Sequence, residues 1–249
     1  LIKLERLKPP AELSSEAAKL MTSTFQATGK PVWQVDYIKK ALAAQSHNKC
    51  TFCECELGIE SKYLEVEHFA CKQKYPDEVV AWNNLLAACR RCNGKKGAHD
   101  VRVEPIVNPF DDDPRHHIRM QAYRMRAITP TGDLTISLLN LNDVSRAVTA
   151  RFYIGNQVCD SLDDLKEKIE SYEGSPTSLR RAKIVNSLEA LLGECLEEAP
   201  YAATAATVLH TESNYPKLRE QLIELDVWTS ELQQLHDSSF AIVLHEVAS

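Results

Sequence analysis

Two Cys-x-x-Cys pairs constrain this chain more than any other feature. Cys50-Thr51-Phe52-Cys53 and Cys89-Arg90-Arg91-Cys92 each put two thiols on one tight turn, so that adjacent sulfurs can take two corners of a tetrahedron. Cys50, Cys53, Cys89 and Cys92 are therefore expected to hold structural zinc; the bland alternative is four buried thiols. Six of the eight cysteines fall between Cys50 and Cys92. Cys55 and Cys71 have no partner at ligand spacing and stay outside the set, while Cys159 and Cys195 are expected to be buried apolar residues. The opening Leu1-Ile2-Lys3-Leu4-Glu5-Arg6-Leu7-Lys8-Pro9-Pro10 breaks every apolar pair with charge, so it offers no signal-peptide core, and later apolar runs are too short to span a bilayer. A cytoplasmic location is expected, where thiols ligate metals rather than form disulfides.

The gap between the pairs is longer than in a compact zinc finger, so the metal would close a loop large enough to hold something else. Within it Tyr63-Leu64-Glu65-Val66-Glu67 alternates like a strand and ends in Glu67-His68-Phe69. Trp82-Asn83-Asn84-Leu85-Leu86 follows, opening a stretch over 82–91 that reads as helical. Directly after the last cysteine comes Asn93-Gly94-Lys95-Lys96-Gly97. A single histidine at a strand end is more often a satisfied structural residue than a catalyst. The ordered combination carries more weight.

The series Cys-x-x-Cys, Glu-His, Asn-Leu, Cys-x-x-Cys-Asn-x-x-Lys resembles the motif of HNH nucleases and covers residues 50–97. The resemblance implies two strands and a helix that hold one catalytic metal, supported by the zinc site. It makes His68 the general base and gives Glu67 and Asn93 to the metal, with Asn84 orienting the imidazole. Glu67 stands where aspartate is common and Asn93 where the family name implies histidine. Both keep an oxygen donor, which suits Mg2+ or Mn2+. A neutral imidazole can take a proton from water attacking phosphorus, while the metal stabilises charge on the phosphorane and the departing oxygen. Products with a 5′-phosphate and a 3′-hydroxyl are implied.

Longer blocks carry a narrower resemblance: Ile2-Lys3-Leu4-Glu5-Arg6, Tyr63 through Phe69, Tyr75-Pro76-Asp77-Glu78-Val79-Val80, Cys92 through Gly97, and Asn108-Pro109-Phe110. Together they resemble the nuclease subunits of Septu-type antiphage systems and of related retron operons. That resemblance implies a partner ABC-type ATPase; DNA is the expected substrate, although double-stranded DNA, single-stranded DNA and structured RNA all present the same phosphodiester to His68. A free-standing restriction-type endonuclease and a zinc-ribbon module that binds nucleic acid without cutting it are the alternatives. Glu67-His68 with Asn93 discriminates, since a pure binding module has no reason to carry them.

The net charge of −6 argues against a nucleic-acid enzyme until it is divided by position. Up to Asp133 there are 20 Lys and Arg against 17 Asp and Glu; the remainder has 9 against 18. Lys95, Lys96, Arg90 and Arg91 adjoin Asn93 and are expected to contact phosphates without reading bases. Tyr63, Trp82 and Tyr123 could stack on bases, although core packing is the commoner job. His99, His116 and His117 are more distant candidates, the last two on a surface after an Asp-Pro turn and His99 as support for a ligand.

The fold class expected is α+β, a zinc-stapled ββα-metal module followed by a mainly helical region. Residues 1–139 would form the nuclease domain, with opening helices over 14–27, capped by Ser14 and stopped at Gly29, and over 35–45. Pro130-Thr131-Gly132-Asp133 reads as a hairpin turn and 140–143 as a linker. Residues 140–249 would form an acidic, partner-binding region. Its helices are expected to start at Ser161, capped with Asp164, and to cover 177–198, 201–210 and 215–225. Leu188, Leu191, Leu192 and Leu196 would serve its core, leaving acidic faces at Asp163-Asp164 and Glu197-Glu198 for a basic partner surface.

Overall fold

The computed structural model describes residues 1–59 and 63–244. These divide into two units, Leu1–Ile118 with Arg126–Asn142, and Arg119–Met125 with Asp143–Ser249. The sequence boundary at 139/140 sits just before the end of the first unit. Residues 119–125 group with the second, which the sequence did not suggest, and the last five positions, 245–249, lie outside the described residues.

In the first unit α1 (Ser15–Thr28) begins where the Ala17 N–H donates to the Ser14 hydroxyl. It stops at Gly29, whose left-handed φ of 69° lets its N–H reach the Phe25 carbonyl, both ends as expected. Helix α2 (Asp36–Gln45) buries Ile38 and Leu42. Strand β1 (Leu64–His68) pairs antiparallel with β2 (Leu85–Cys89), Leu64 opposite Cys89 and His68 opposite Leu85, and α3 (Arg90–Lys96) follows without a loop. The stretch over 82–91 is therefore not one helix. It is a single 3-10 turn at Trp82–Asn84, then β2, then the start of α3. Leu-Leu-Ala-Ala has high helical propensity, but both α2 and α3 pack on the strand pair, and all five β2 residues are buried. A fully covered short strand loses the alternation that marks strands in sequence.

The opening residues brace this arrangement. Ile2 and Leu4 are buried and the Leu4 N–H donates to the Pro109 carbonyl at 2.8 Å. The Arg6 guanidinium lies 3.8 Å over the Phe110 ring and donates to the carbonyls of Trp82 and Leu85 at 3.2 and 2.9 Å. Two blocks far apart in sequence, 2–6 and 108–110, thus meet beside the chain that leads into β2.

Strands β3 (Ile118–Gln121) and β4 (Arg124–Ala127) form the hairpin, and its turn is at Ala122 and Tyr123, with φ of 47° and 61°. Positive φ at both positions is what a two-residue turn between twisted strands requires. The hairpin turn expected at 130–133 is instead the first turn of α4 (Pro130–Leu138), in which the Thr129 hydroxyl accepts from the Gly132 N–H and Pro130 occupies the first position. Thr-Pro is a helix start as much as a turn signal. Gly132 is demanded by contact: a β-carbon there would sit 2.1 Å from the His117 carbonyl oxygen.

The second unit is helical. Past a π-helical turn at Val144–Val148 come α5 (Thr149–Gly174), α6 (Ser178–Gly193), α7 (Ala202–Thr211), α8 (Tyr215–Glu224) and α9 (Ser230–Phe240). Helix α5 buries Val158, Leu162, Leu165 and Ile169 at helical spacing against α6 and α7, where Leu188, Leu191 and Leu192 join the core as expected and Leu196 is half-buried. Ser161 caps nothing: it lies inside α5 and its hydroxyl donates back to the Gln157 carbonyl at 2.7 Å. The stretch over 140–143, expected as a linker, lies outside any helix, and the boundary between the two units falls within it. Thr177 caps α6, which ends at Gly193, and α9, capped by Thr229, was not expected at all.

Candidate metal centre and active site

The sulfurs of Cys50, Cys53, Cys89 and Cys92 lie within 4.8 Å of one another, all buried. Cys53 Sγ and Cys89 Sγ are 3.8 Å apart. Zinc–sulfur bonds near 2.3 Å give a tetrahedral edge of about 3.8 Å, so the set fits one zinc ion. The backbone explains the convergence. Glu54 takes a left-handed φ of 61°, its N–H donates to the Cys50 carbonyl at 2.9 Å, and the Thr51 N–H donates to the Ala87 carbonyl of β2 at 2.9 Å. Cys89 ends β2 and caps α3, accepting from the Cys92 N–H at 3.4 Å. Burial pushes the Cys50 thiol up, while bonds from Cys50 pull the Cys53 and Cys89 thiols down.

Cys55, left outside by spacing, is within hydrogen-bonding reach of Cys50, Cys53 and Cys89, and bonding to Cys50 pushes its thiol up. It supports the sulfur cluster from beside it; only folding of the turn after Cys53 brings it there. Cys71 and Cys195 are buried, and Cys159 is half-buried.

Alternation along β1 sends Glu65 and Glu67 toward α3, and Val66 and His68 to the other face. Glu67 is 3% exposed and its Oε1 lies 2.7 Å from Lys96 Nζ. Burial, opposed by Lys96, pushes its carboxyl up to about 7. The Asn93 side-chain nitrogen donates to Glu65 Oε2 at 2.7 Å. His68 is buried, its ring meets Trp33 edge to face at 4.6 Å, and its Nε2 lies 2.8 Å from the Val79 carbonyl oxygen. A carbonyl only accepts, so Nε2 carries the ring proton and Nδ1 keeps the basic lone pair. Burial, reinforced by Lys72 and Lys96, holds the imidazole down at about 4, hence neutral near pH 7.

Three groups thus share one pattern. Lys96 engages Oε1 of Glu67, Glu65 engages Nδ2 of Asn93, and Val79 engages Nε2 of His68. Among the described residues, Oε2 of Glu67, Oδ1 of Asn93 and Nδ1 of His68 have no hydrogen-bond partner, and those are two oxygen donors and a base.

Asn84 does not touch the imidazole. Its Oδ1 accepts from the Ala70 N–H at 2.6 Å and its Nδ2 donates to the Ala70 and Glu78 carbonyls at 3.0 and 3.2 Å. It ties the chain after β1 to the turn whose next residue, Val79, holds His68. Lys96 is no phosphate contact on its surface: it is 1% exposed and committed to Glu67 and to the His68 carbonyl, 2.8 Å away. Arg91 donates to the Asn140 carbonyl, whereas Arg90 and Lys95 are exposed. Trp82 is buried with its indole donating to the Leu7 carbonyl at 2.7 Å, and Tyr63 is exposed. His99 bonds the Glu104 carbonyl and His117 the Thr129 hydroxyl, both at 2.8 Å. Glu65 and Val79 are the residues that sequence reasoning missed. The strand alternation that pairs Glu65 with Glu67 was the available signal; a backbone carbonyl leaves none.

Among the described residues no helix is long and apolar enough to cross a membrane. The chain is similar to a Septu protein PtuB of Bacillus thuringiensis, 41% identical over 248 residues, 99% of this chain and 96% of the relative. A Septu protein PtuB of Bacillus mycoides (strain KBAB4) is 26% identical over 277 residues, covering 90% of this chain and 93% of the relative. No family model matches the chain, and no solved structure matches it.

Proposed function

The chain belongs to the family of the Septu protein PtuB, and from that premise we propose that it is an HNH-type, metal-dependent endonuclease that hydrolyses phosphodiester bonds in DNA. Its setting would be an antiphage defence complex. The observation that carries the reading is the common pattern at Glu67, Asn93 and His68, each with one polar atom held by the protein and the other left for chemistry. The order β1, β2, α3, with Glu67 and His68 on the first strand and Asn93 on the helix, supports it.

Glu67 Oε2 and Asn93 Oδ1 are the oxygens that would hold one Mg2+ or Mn2+ ion. Bound there, the ion supplies Lewis-acid stabilisation of the charge that develops on phosphorus and on the departing oxygen. His68 takes the proton of the attacking water at Nδ1, and the Val79 carbonyl fixes the tautomer that makes this possible. Asn84 holds the turn that presents that carbonyl. The exposed Arg90 and Lys95 neutralise phosphates nearby. The four-cysteine site leaves no open position for substrate, so zinc there is structural.

The second unit we assign to docking an ABC-type ATPase. A cavity of about 560 Å³ is lined by the apolar Ile154, Val158 and Leu191 and by the acidic Asp160, Glu194 and Asp164, the last paired with Lys168. That combination fits a basic amphipathic segment of the partner. The nuclease reading is tested by magnesium-dependent nicking of supercoiled DNA with His68→Ala as control. A zinc module that only binds nucleic acid would retain DNA and leave it uncut.

A further inference from the structure

Lys96 is a fully buried lysine whose ammonium has two partners in the described structure, Glu67 Oε1 at 2.7 Å and the His68 carbonyl oxygen at 2.8 Å. Burying a charge is costly unless it is paired and hydrogen-bonded, and here both conditions are met. One side chain on α3 thereby holds two consecutive residues of β1, the first by its carboxylate and the second by its backbone. One turn earlier on α3, Asn93 is joined to Glu65 of the same strand. The helix is fastened to the strand at two points, one through Glu67 and the other through Asn93.

We propose that Lys96 is a positioning residue that sets which oxygen of Glu67 faces the catalytic metal and fixes the end of β1 that carries His68. With Oε1 held by the ammonium, the carboxylate offers Oε2 alone. With the His68 carbonyl held by the same atom, the backbone under the imidazole cannot shift relative to that oxygen. The proposal rests on Glu67 and Asn93 being the metal ligands. It removes Lys96 from the set that touches nucleic acid and gives the chain an internal cation beside its metal site.

The two roles separate experimentally in the full chain. Lys96→Met removes the ammonium; Lys96→Gln keeps a shorter N–H donor and covers the case in which the first variant fails to fold, with zinc content and circular dichroism as controls. Mn2+ binding is measured by calorimetry without nucleic acid, and binding of a DNA duplex is measured in EDTA across a salt series. Positioning predicts a dissociation constant for Mn2+ raised by roughly 10–100-fold, the range seen when groups orienting metal ligands are removed. DNA affinity and its salt dependence stay as in the wild type. A phosphate contact predicts the reverse, unchanged Mn2+ binding and a salt slope reduced by about one, and that result overturns the proposal. If Mn2+ binding by the wild type is unaffected by Glu67→Ala, the ligand reading itself fails and takes the proposal with it. If Glu67→Ala abolishes binding and the Lys96 variants bind normally, only the positioning role falls.

Discussion

The Asn93 side-chain amide donates to the Glu65 carboxylate over 2.7 Å, and because a carboxylate only accepts, the nitrogen of that amide must face the strand. Asn93 therefore has its oxygen left to offer a cation. Glu65→Leu should release the amide and raise the Mg2+ concentration needed for half-maximal cleavage by about tenfold or more, and Glu65→Gln, which still accepts through its carbonyl oxygen, should fall between. Initial rates across a Mg2+ series measure it; an unchanged requirement in Glu65→Leu removes Glu65 from the site.

The buried Glu67 and His68 pull stability in opposite directions as pH changes. The folded protein raises Glu67 from 4.5 to about 7, so the stability it contributes is full below pH 4.5 and is lost as pH rises through 7. It lowers His68 from 6.5 to about 4, so that contribution is full above pH 6.5 and is lost as pH falls through 4. Shifts of this size are each worth on the order of 3 kcal/mol, and between pH 4.5 and 6.5 they oppose. Urea unfolding of the metal-free wild type should give a nearly level profile there. Glu67→Gln should rise in stability with pH, and His68→Gln should fall. Parallel profiles for the two variants would contradict the placement of both groups.

Zinc at the four cysteines should be part of the folded state. Cys50→Ser and Cys92→Ser are expected to lose zinc and several kcal/mol of stability, on the order expected when a structural metal is removed. Cys55→Ser, lacking only the neighbouring thiol, should retain the metal. Metal analysis with thermal melting decides, and normal melting of a zinc-free Cys50→Ser protein would show that the staple does not exist.

What could be seen in the sequence was set by the range of the interactions involved. The cysteine pairs and Glu67-His68 were visible because their geometry is fixed within a few residues. The Ser14 cap and the Gly29 stop of α1 were visible for the same reason. Leu85 to Cys89 was misjudged because its strand state comes from pairing with β1 and cover from two helices, which no local pattern records. Lys96 was read as a surface cation because lysine is almost never fully buried without a partner, and its partner Glu67 lies 29 positions earlier. Asn84 was expected to orient the imidazole, but its side chain bonds the backbone of Ala70 and Glu78, contacts that depend on folding of the chain between β1 and β2. Thr129-Pro130 carried a cap signal that the following Gly-Asp obscured.

If the second unit docks a basic segment, reversing the charge at its acid-lined cavity should abolish docking and spare cleavage. Asp160 and Glu194 are both exposed, so Asp160→Lys with Glu194→Lys should leave the fold intact. Co-purification of the doubly substituted full chain with the ABC-type ATPase should fall at least tenfold, with nicking activity unchanged. Undiminished co-purification would move the docking surface elsewhere.

The central claim is that His68 Nδ1 is the base of a metal-dependent phosphodiesterase, and one comparison tests it most directly. Purified wild-type chain and His68→Ala are incubated with supercoiled plasmid in Mg2+ or Mn2+, alone and with the proposed ABC-type ATPase partner. Folding is checked by zinc content and nucleic-acid affinity by gel shift. The account predicts metal-dependent nicking by the wild type, loss of at least a hundredfold in rate for His68→Ala, and equal DNA affinity for the two. Cleavage by His68→Ala at the wild-type rate would contradict it.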